Sequence, residues 1–187
     1  MANASKAEFE LRVLPHLAAG YSLARWLLRH PQDAEDAVQD SVLKAYRAFD
    51  RHTGDNTAAW FLAIVRNTCL TLLDRRRGDS KIVMLEESLH SAERQPSPHR
   101  TPPALLQDEA MIAEETRRQI HAALATLPTP LREVVVLREF HDLPYRDIAE
   151  IIGTPIGTVM SRLARARERL KAALNPGSIR EENGKSS

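Results

Sequence analysis

Residues 144–174, PYRDIAEIIGTPIGTVMSRLARARERLKAAL, constrain the fold of this chain more than any other stretch, because two helical patterns meet there across one glycine. The first, residues 144–152, sets Ile148, Ala149 and Ile152 at core spacing. Gly153 allows a tight turn, Thr154 offers a hydroxyl to the first free backbone N–H groups, and Pro155 suits the first helical position. At about 100° per residue, Ile156, Val159, Met160, Leu163, Leu170 and Leu174 fall on one side of the second helix. Thr158, Ser161, Arg162, Arg165 and Arg169 gather on the other. Two helices joined by a short glycine-containing turn are the signature of a helix-turn-helix, whose second helix enters the major groove. Arginine forks onto guanine edges or phosphates, and hydroxyls bond either, so this polar face suits DNA. Taken alone, the second helix is equally an ordinary solvated amphipathic helix. The pattern ahead of it favours the DNA reading. Residues 131–140, LREVVVLREF, form a third helix in which Thr129 is the expected cap, Pro130 the first position, and Val134, Val135 and Leu137 the core. The valine run also fits a buried strand, but the proline start and flanking charges favour helix.

From about residue 86 to 107 the periodicity lapses, and Pro96, Pro98, Pro102 and Pro103 disfavour helix. This stretch is expected to be an extended linker, with an ordered loop between domains as the alternative. Helical character resumes through Met111, Ile112, Ile120 and Leu124. The expected fold class is therefore all-α, with two small helical domains joined by a Pro-rich linker. The domains span residues 1–80 and 111–175, the linker 81–110, and a disordered tail 176–187. A chain of 187 residues divided in this way buries only a modest core in each half.

The N-terminal half also reads as helix. Phe9, Val13, Leu17, Tyr21, Ala24 and Leu28 recur at three and four, with Pro15 and Gly20 expected to bend or break the stretch. Pro31 opens another helix, whose Asp33, Glu35 and Asp36 favour its positive dipole end. Ala34, Ala37, Val38, Val42, Ala45 and Phe49 point inward, whereas Asp36, Gln39, Asp40, Leu43 and Arg47 share the outer side. A leucine flanked by carboxylates and an amide suggests a protein contact, although a lone exposed leucine is common. After the polar loop DRHTGDNTAAW, residues 60–77 form a helix ending in Arg75, Arg76 and Arg77. These arginines either answer the helix dipole or, with Arg66 and Asn67, hold opened DNA beside a loop able to take an unstacked base.

Net charge is only +1, but it is unevenly distributed: basic faces lie on residues 66–77 and on the last helix, and an acidic one on residues 33–50. Such a chain can hold nucleic acid on some surfaces and a protein on another. Cys69 is the only cysteine, which excludes an internal disulfide and a cysteine zinc site; it is expected to be a buried small hydrophobe. The seven histidines show no metal-ligand spacing or catalytic pairing and are expected at the surface or as caps. No phosphate loop, G-x-S-x-G or H-E-x-x-H motif occurs, and neither a secretory signal nor a spanning segment is legible. The expectation is a cytoplasmic non-enzyme with no cofactor, no metal, no small-molecule substrate and no membrane insertion.

Three segments together, DAEDAVQDSVLKAY, AWFLAIVRNTCLTLLDRRRG and LPTPLREVVVLREFHDLPYRDIAEIIGTPIGTVMSRLARARERL, resemble the bacterial extracytoplasmic-function (ECF) sigma factors, group 4 of the main sigma family. The resemblance runs from about residue 21 to 174, apart from the linker, and its motifs are specific in combination. It implies a non-enzymatic subunit that lends promoter preference and strand opening to core RNA polymerase, contacting its clamp and flap. Carried onto this sequence, the core polymerase contact falls on Asp36, Gln39, Asp40 and Leu43. The minus-10 DNA surface falls on Asn56, Trp60, Arg66, Asn67, Arg75, Arg76 and Arg77. The minus-35 surface falls on Thr154, Thr158, Ser161, Arg162, Arg165 and Arg169. The family also implies a cognate anti-sigma factor and a stress or envelope response. Where its first helix of the pair usually opens on Ser or Thr, this chain has Leu143 and Pro144. Two other readings remain open on the residues alone: a dimeric, ligand-sensing regulator that shifts duplex DNA unaided, and an interaction protein that sequesters polymerase or a regulator without reading promoters.

Overall fold

A computed structural model describes the backbone of residues 2–83 and 107–174, and side chains over 6–76 and 115–174. Of the expected linker, residues 81–110, the stretch 84–106 lies outside the described residues and its two ends belong to helices; the expected tail, residues 176–187, and the side chains of Arg77, Met111 and Ile112 also lie outside what is described. Every regular element among the described residues is helical. The N-terminal half contains α1 (Ala2–Val13), a 3-10 turn (Leu14–His16), α2 (Leu17–Leu28), α3 (Pro31–Ala48), a second 3-10 turn (Phe49–Arg51) and α4 (Thr57–Val83). The C-terminal half contains α5 (Gln107–Thr126), α6 (Thr129–Val135) widening into a π-turn (Val136–Phe140), α7 (Tyr145–Ile152) and α8 (Ile156–Leu174). The valine run is helix.

Pro15 separates α1 from α2 as expected, but Gly20 does not break α2. A Cβ there would lie 2.9 Å from Cε1 of Phe61, so the glycine leaves room for the Phe61 ring of α4. Tyr21, expected in the core, is 36% exposed. Phe61, Leu23, Leu27, Leu62 and Val65 fill the space between α2 and α4, and a fully buried side chain of this size stabilises by about 1.5–3 kcal/mol. Cys69 is buried among them.

Three helices of the C-terminal half begin on a proline rather than on a hydroxyl cap. The carbonyl of Pro128 accepts from Leu131 and Arg132 at 2.9 and 3.0 Å, that of Pro144 from Asp147 and Ile148 at 3.0 and 3.1 Å, and that of Pro155 from Thr158 and Val159 at 2.9 and 3.3 Å. Thr129 is thus the first residue of α6 rather than its cap. Pro155 stands outside α8, and the Thr154 hydroxyl is buried without a hydrogen-bond partner. No side-chain cap hydrogen bond is made at Pro128 or Pro144, the residues that precede α6 and α7. Gly153 ends α7 at φ 65°, the left-handed value the turn requires.

The two halves are not held apart. α4 packs against α7 and α2 against α6, and apolar residues of both halves join one continuous buried cluster. At this seam Trp26 stacks on His121, ring centroids 4.3 Å apart, and touches Phe140 at 5.0 Å. Arg132, only 4% exposed, donates to the carbonyls of Leu124 (3.0 Å), Leu127 (2.6 Å) and Ala125 (3.4 Å) in its own half and of Trp26 (3.2 Å) across the seam. Burial and the nearby Arg29 pull its pKa down to about 10, which leaves it cationic at neutral pH.

Candidate polymerase-binding and DNA-binding surfaces

The outer face of α3 follows from its inner one. Ala34, Ala37 and Ala45 are buried and small, and Ser41 between them donates its hydroxyl to the Ala37 carbonyl at 2.6 Å. Small residues bring α3 close to α2 and α4, and the helix period then turns Asp36, Gln39, Asp40, Leu43 and Arg47 to solvent. Leu43 is 55% exposed. Asp40 pairs with Lys44 at 2.7 Å, while Asp36 and Gln39 have no partner among the described residues. Asp33 lies to one side and is bonded to Arg76 at 2.5 Å; that bond holds its carboxyl below the usual range.

α4 and the loop before it carry the proposed minus-10 residues, in unequal states. Asn56 is a cap: its Oδ1 accepts from Ala59 N–H at 3.0 Å. Trp60 stacks on His52 at 4.3 Å, and burial together with the charge of Arg12 keeps His52 below the ordinary histidine value. Arg12 also staples the loop, donating to Gly54 O at 3.1 Å and Thr57 Oγ1 at 2.9 Å. The expected triple-arginine cluster is divided, with Arg75 exposed and Arg76 engaged by Asp33. Asn67 is exposed and accepts from Arg66 Nη1 at 3.3 Å. Arg66 itself is turned toward the C-terminal half, where Nε and Nη2 bond the two oxygens of Glu133 at 2.7 and 3.1 Å.

On α8 the polar stripe is also divided. Arg165 and Arg169 are exposed, with no partner among the described residues. Ser161 donates to the Thr158 carbonyl at 3.0 Å, and Thr158 is half-buried. Arg162 is drawn inward, 25% exposed, with Nη1 3.2 Å from Glu133 Oε1. The buried line is Val159, Leu163 and Ala166, narrower than expected: Ile156, Met160 and Leu174 are 46%, 54% and 44% exposed. In α7, Ile148, Ile151 and Ile152 are buried; Ile151 belongs to the core alongside the two predicted isoleucines. Two histidines depart from the surface expectation. His52 is under Trp60, and His141 is half-buried, with burial lowering its pKa and its Nε2 left without a partner.

Two family models match these same elements, Sigma-70 region 2 over residues 13–78 and Sigma-70 region 4 over residues 117–170. The RNA polymerase sigma-H factor of Pseudomonas aeruginosa is 34% identical over 179 residues, 91% of this chain and 88% of the relative. The ECF RNA polymerase sigma-E factor of Salmonella typhimurium is 35% identical over 148 residues, 77% of this chain and 75% of the relative. The chain belongs to the ECF sigma factors. Among solved structures, the sigma factor RpoE from Bartonella quintana, in complex with the anti-sigma factor NepR, matches with a TM-score of 0.67 at 29% identity, covering 91% of this chain and 98% of that one. CnrH, in complex with the cytosolic domain of CnrY, shares the fold with a TM-score of 0.61 at 22% identity, covering 94% and 95%. As a sigma factor this chain is not an enzyme; it directs core RNA polymerase to promoters. No helix among its described residues is long and apolar enough to cross a membrane.

Glu133, Arg132 and Trp26 are the residues sequence reasoning missed. The signal was present in LREVVVL, where a charged pair interrupts an apolar run that is otherwise all core.

Proposed function

We propose that this sigma factor engages the polymerase clamp through Asp36, Gln39, Asp40 and Leu43, and promoter DNA through α4 and α8. The observation that carries the first part is Leu43, exposed among carboxylates on a face that no other element among the described residues covers. On α4, Trp60, Arg66, Asn67 and Arg75 are the residues best suited to an opened minus-10 strand, with Asn56 shaping the loop, Arg76 bracing α4 on α3, and Arg77 continuing the basic run. On α8, Arg162 and Arg165 read minus-35 base edges with Thr158 and Ser161, Arg169 holds backbone phosphate, and Thr154 sits in the turn. The domain limits remain residues 1–80 and 111–175. The protein acts in the cytoplasm, where polymerase and promoter are. An anti-sigma factor is the expected regulator, because the solved sigma factor RpoE that it resembles is in complex with one.

Titration of labelled protein with core polymerase tests the clamp contact. Leu43→Glu and Asp40→Arg are expected to weaken binding while shifting stability by no more than about 0.5 kcal/mol, as surface changes do. Unchanged affinity in both variants contradicts the assignment. For α8, selection from a randomised minus-35 library by the holoenzyme is expected to lose preference at particular positions for Arg162→Ala or Arg165→Ala, at a cost of roughly 1–3 kcal/mol, and uniformly for Arg169→Ala.

A further inference from the structure

Glu133 is only 1% exposed, yet it meets cations from two different parts of the chain. From α4, Arg66 donates two parallel bonds, Nε to Oε2 at 2.7 Å and Nη2 to Oε1 at 3.1 Å. From α8, Arg162 Nη1 reaches Oε1 at 3.2 Å. A forked guanidinium on two oxygens is the arrangement it also adopts on a phosphate, so the carboxylate occupies the same donors of Arg66 that a phosphate would use. The same closure packs α7 on α4.

We propose that Glu133 is an intramolecular latch: in the free chain its single carboxylate occupies Arg66 and Arg162 and keeps the DNA-reading surfaces of both halves turned onto each other. This deepens the promoter reading proposed above and rests on it. On the outer face of α3, Asp36, Gln39, Asp40 and Leu43 stay exposed while the seam is closed. Core polymerase therefore engages a chain whose DNA readers are still occupied, and opening of the latch follows that engagement. Arg162 is held within its own half and Arg66 across the seam, so losing Arg66 removes the carboxylate bond between the halves without removing the Glu133–Arg162 bond.

The test uses the full chain with donor and acceptor dyes at Glu10→Cys and Lys171→Cys, exposed positions in opposite halves. Cys69 stays unlabelled because it is buried, its thiol pushed up to about 12. Parallel binding is read with a random-sequence duplex pool in the absence of polymerase. Wild type is expected to show one high-transfer population. Arg66→Gln is expected to add a low-transfer population and to bind the pool at least about threefold more tightly, although it has lost a cation, because the competent fraction rises. Glu133→Gln, checked for retained helicity, is expected to open in the same way. Transfer unchanged in both variants overturns the latch. Opening without tighter DNA binding, and no further loss on adding Arg162→Ala, overturns instead the promoter reading of α8.

Discussion

The outer face of α3 and the seam between α4, α6 and α8 both carry charged residues chosen by the same helical periodicity, but the chain treats them in opposite ways. On α3, the carboxylates of Asp36 and Asp40 and the side chain of Leu43 face solvent. At the seam, Arg66 and Arg162 converge on a carboxylate that is almost wholly buried. An exposed leucine ringed by acid is a surface waiting for another protein, whereas a buried ion pair that spans two halves is a surface occupied by the chain itself. Desolvating three charges is tolerated only when they satisfy one another, so removing any member has consequences that removing an α3 carboxylate does not.

The largest expected effect lies on the closed side of this comparison. Arg132→Met removes four bonds to carbonyls, three of them at the end of α5 and the turn after it, and is expected to cost about 3 kcal/mol in urea unfolding, since each buried group left unpaired costs ~1–3 kcal/mol. A loss below about 1 kcal/mol would show that the seam does not depend on this guanidinium. Next is Gly20→Ala within the N-terminal half, where helix propensity alone predicts a gain of up to about 1 kcal/mol. The 2.9 Å approach of the fully buried Phe61 ring reverses the sign, and a loss of about 1–3 kcal/mol is expected in the same assay. The smallest belongs to the open side. Asp33→Asn breaks the bond to Arg76 at the edge of α3 and is expected to cost about 0.2–1 kcal/mol at neutral pH. Arg76 lowers the Asp33 carboxyl in the folded state, so this contribution is complete above its ordinary value of 3.8 and disappears as pH falls through the lowered folded value. Thermal midpoints of wild type and Asp33→Asn should therefore converge in acid, and a constant gap down to the lowest pH would contradict the assignment.

Much of this was legible in the sequence because helical periodicity reports faces directly. The inner and outer sides of α3, the helix-turn-helix with Gly153 at its turn, and the burial of Cys69 all follow from spacing and from the left-handed backbone that glycine permits. What spacing does not report is which half lies against which. Arg162 falls on the polar side of α8 by any helical plot, and only the approach of α6 and α4 turns it inward. Gly20 reads as a breaker until Phe61 is placed beside it. Thr154 reads as a cap, yet its hydroxyl is buried with no hydrogen-bond partner and α8 begins only at Ile156. The first two departures arise from contacts made by residues distant in sequence.

Carboxyl labelling with a carbodiimide and an amine, read by peptide mass, tests the contrast between the two surfaces most directly, because both are marked by carboxylates. In the free chain Asp36 and Asp40 should label readily and Glu133 hardly at all. On assembly with core polymerase and promoter DNA the pattern should exchange, Asp36 and Asp40 becoming protected while Glu133 gains label as Arg66 leaves it. Labelling of Glu133 in the free chain at the rate of Asp36, or protection of Glu133 that assembly leaves unchanged, would contradict the account.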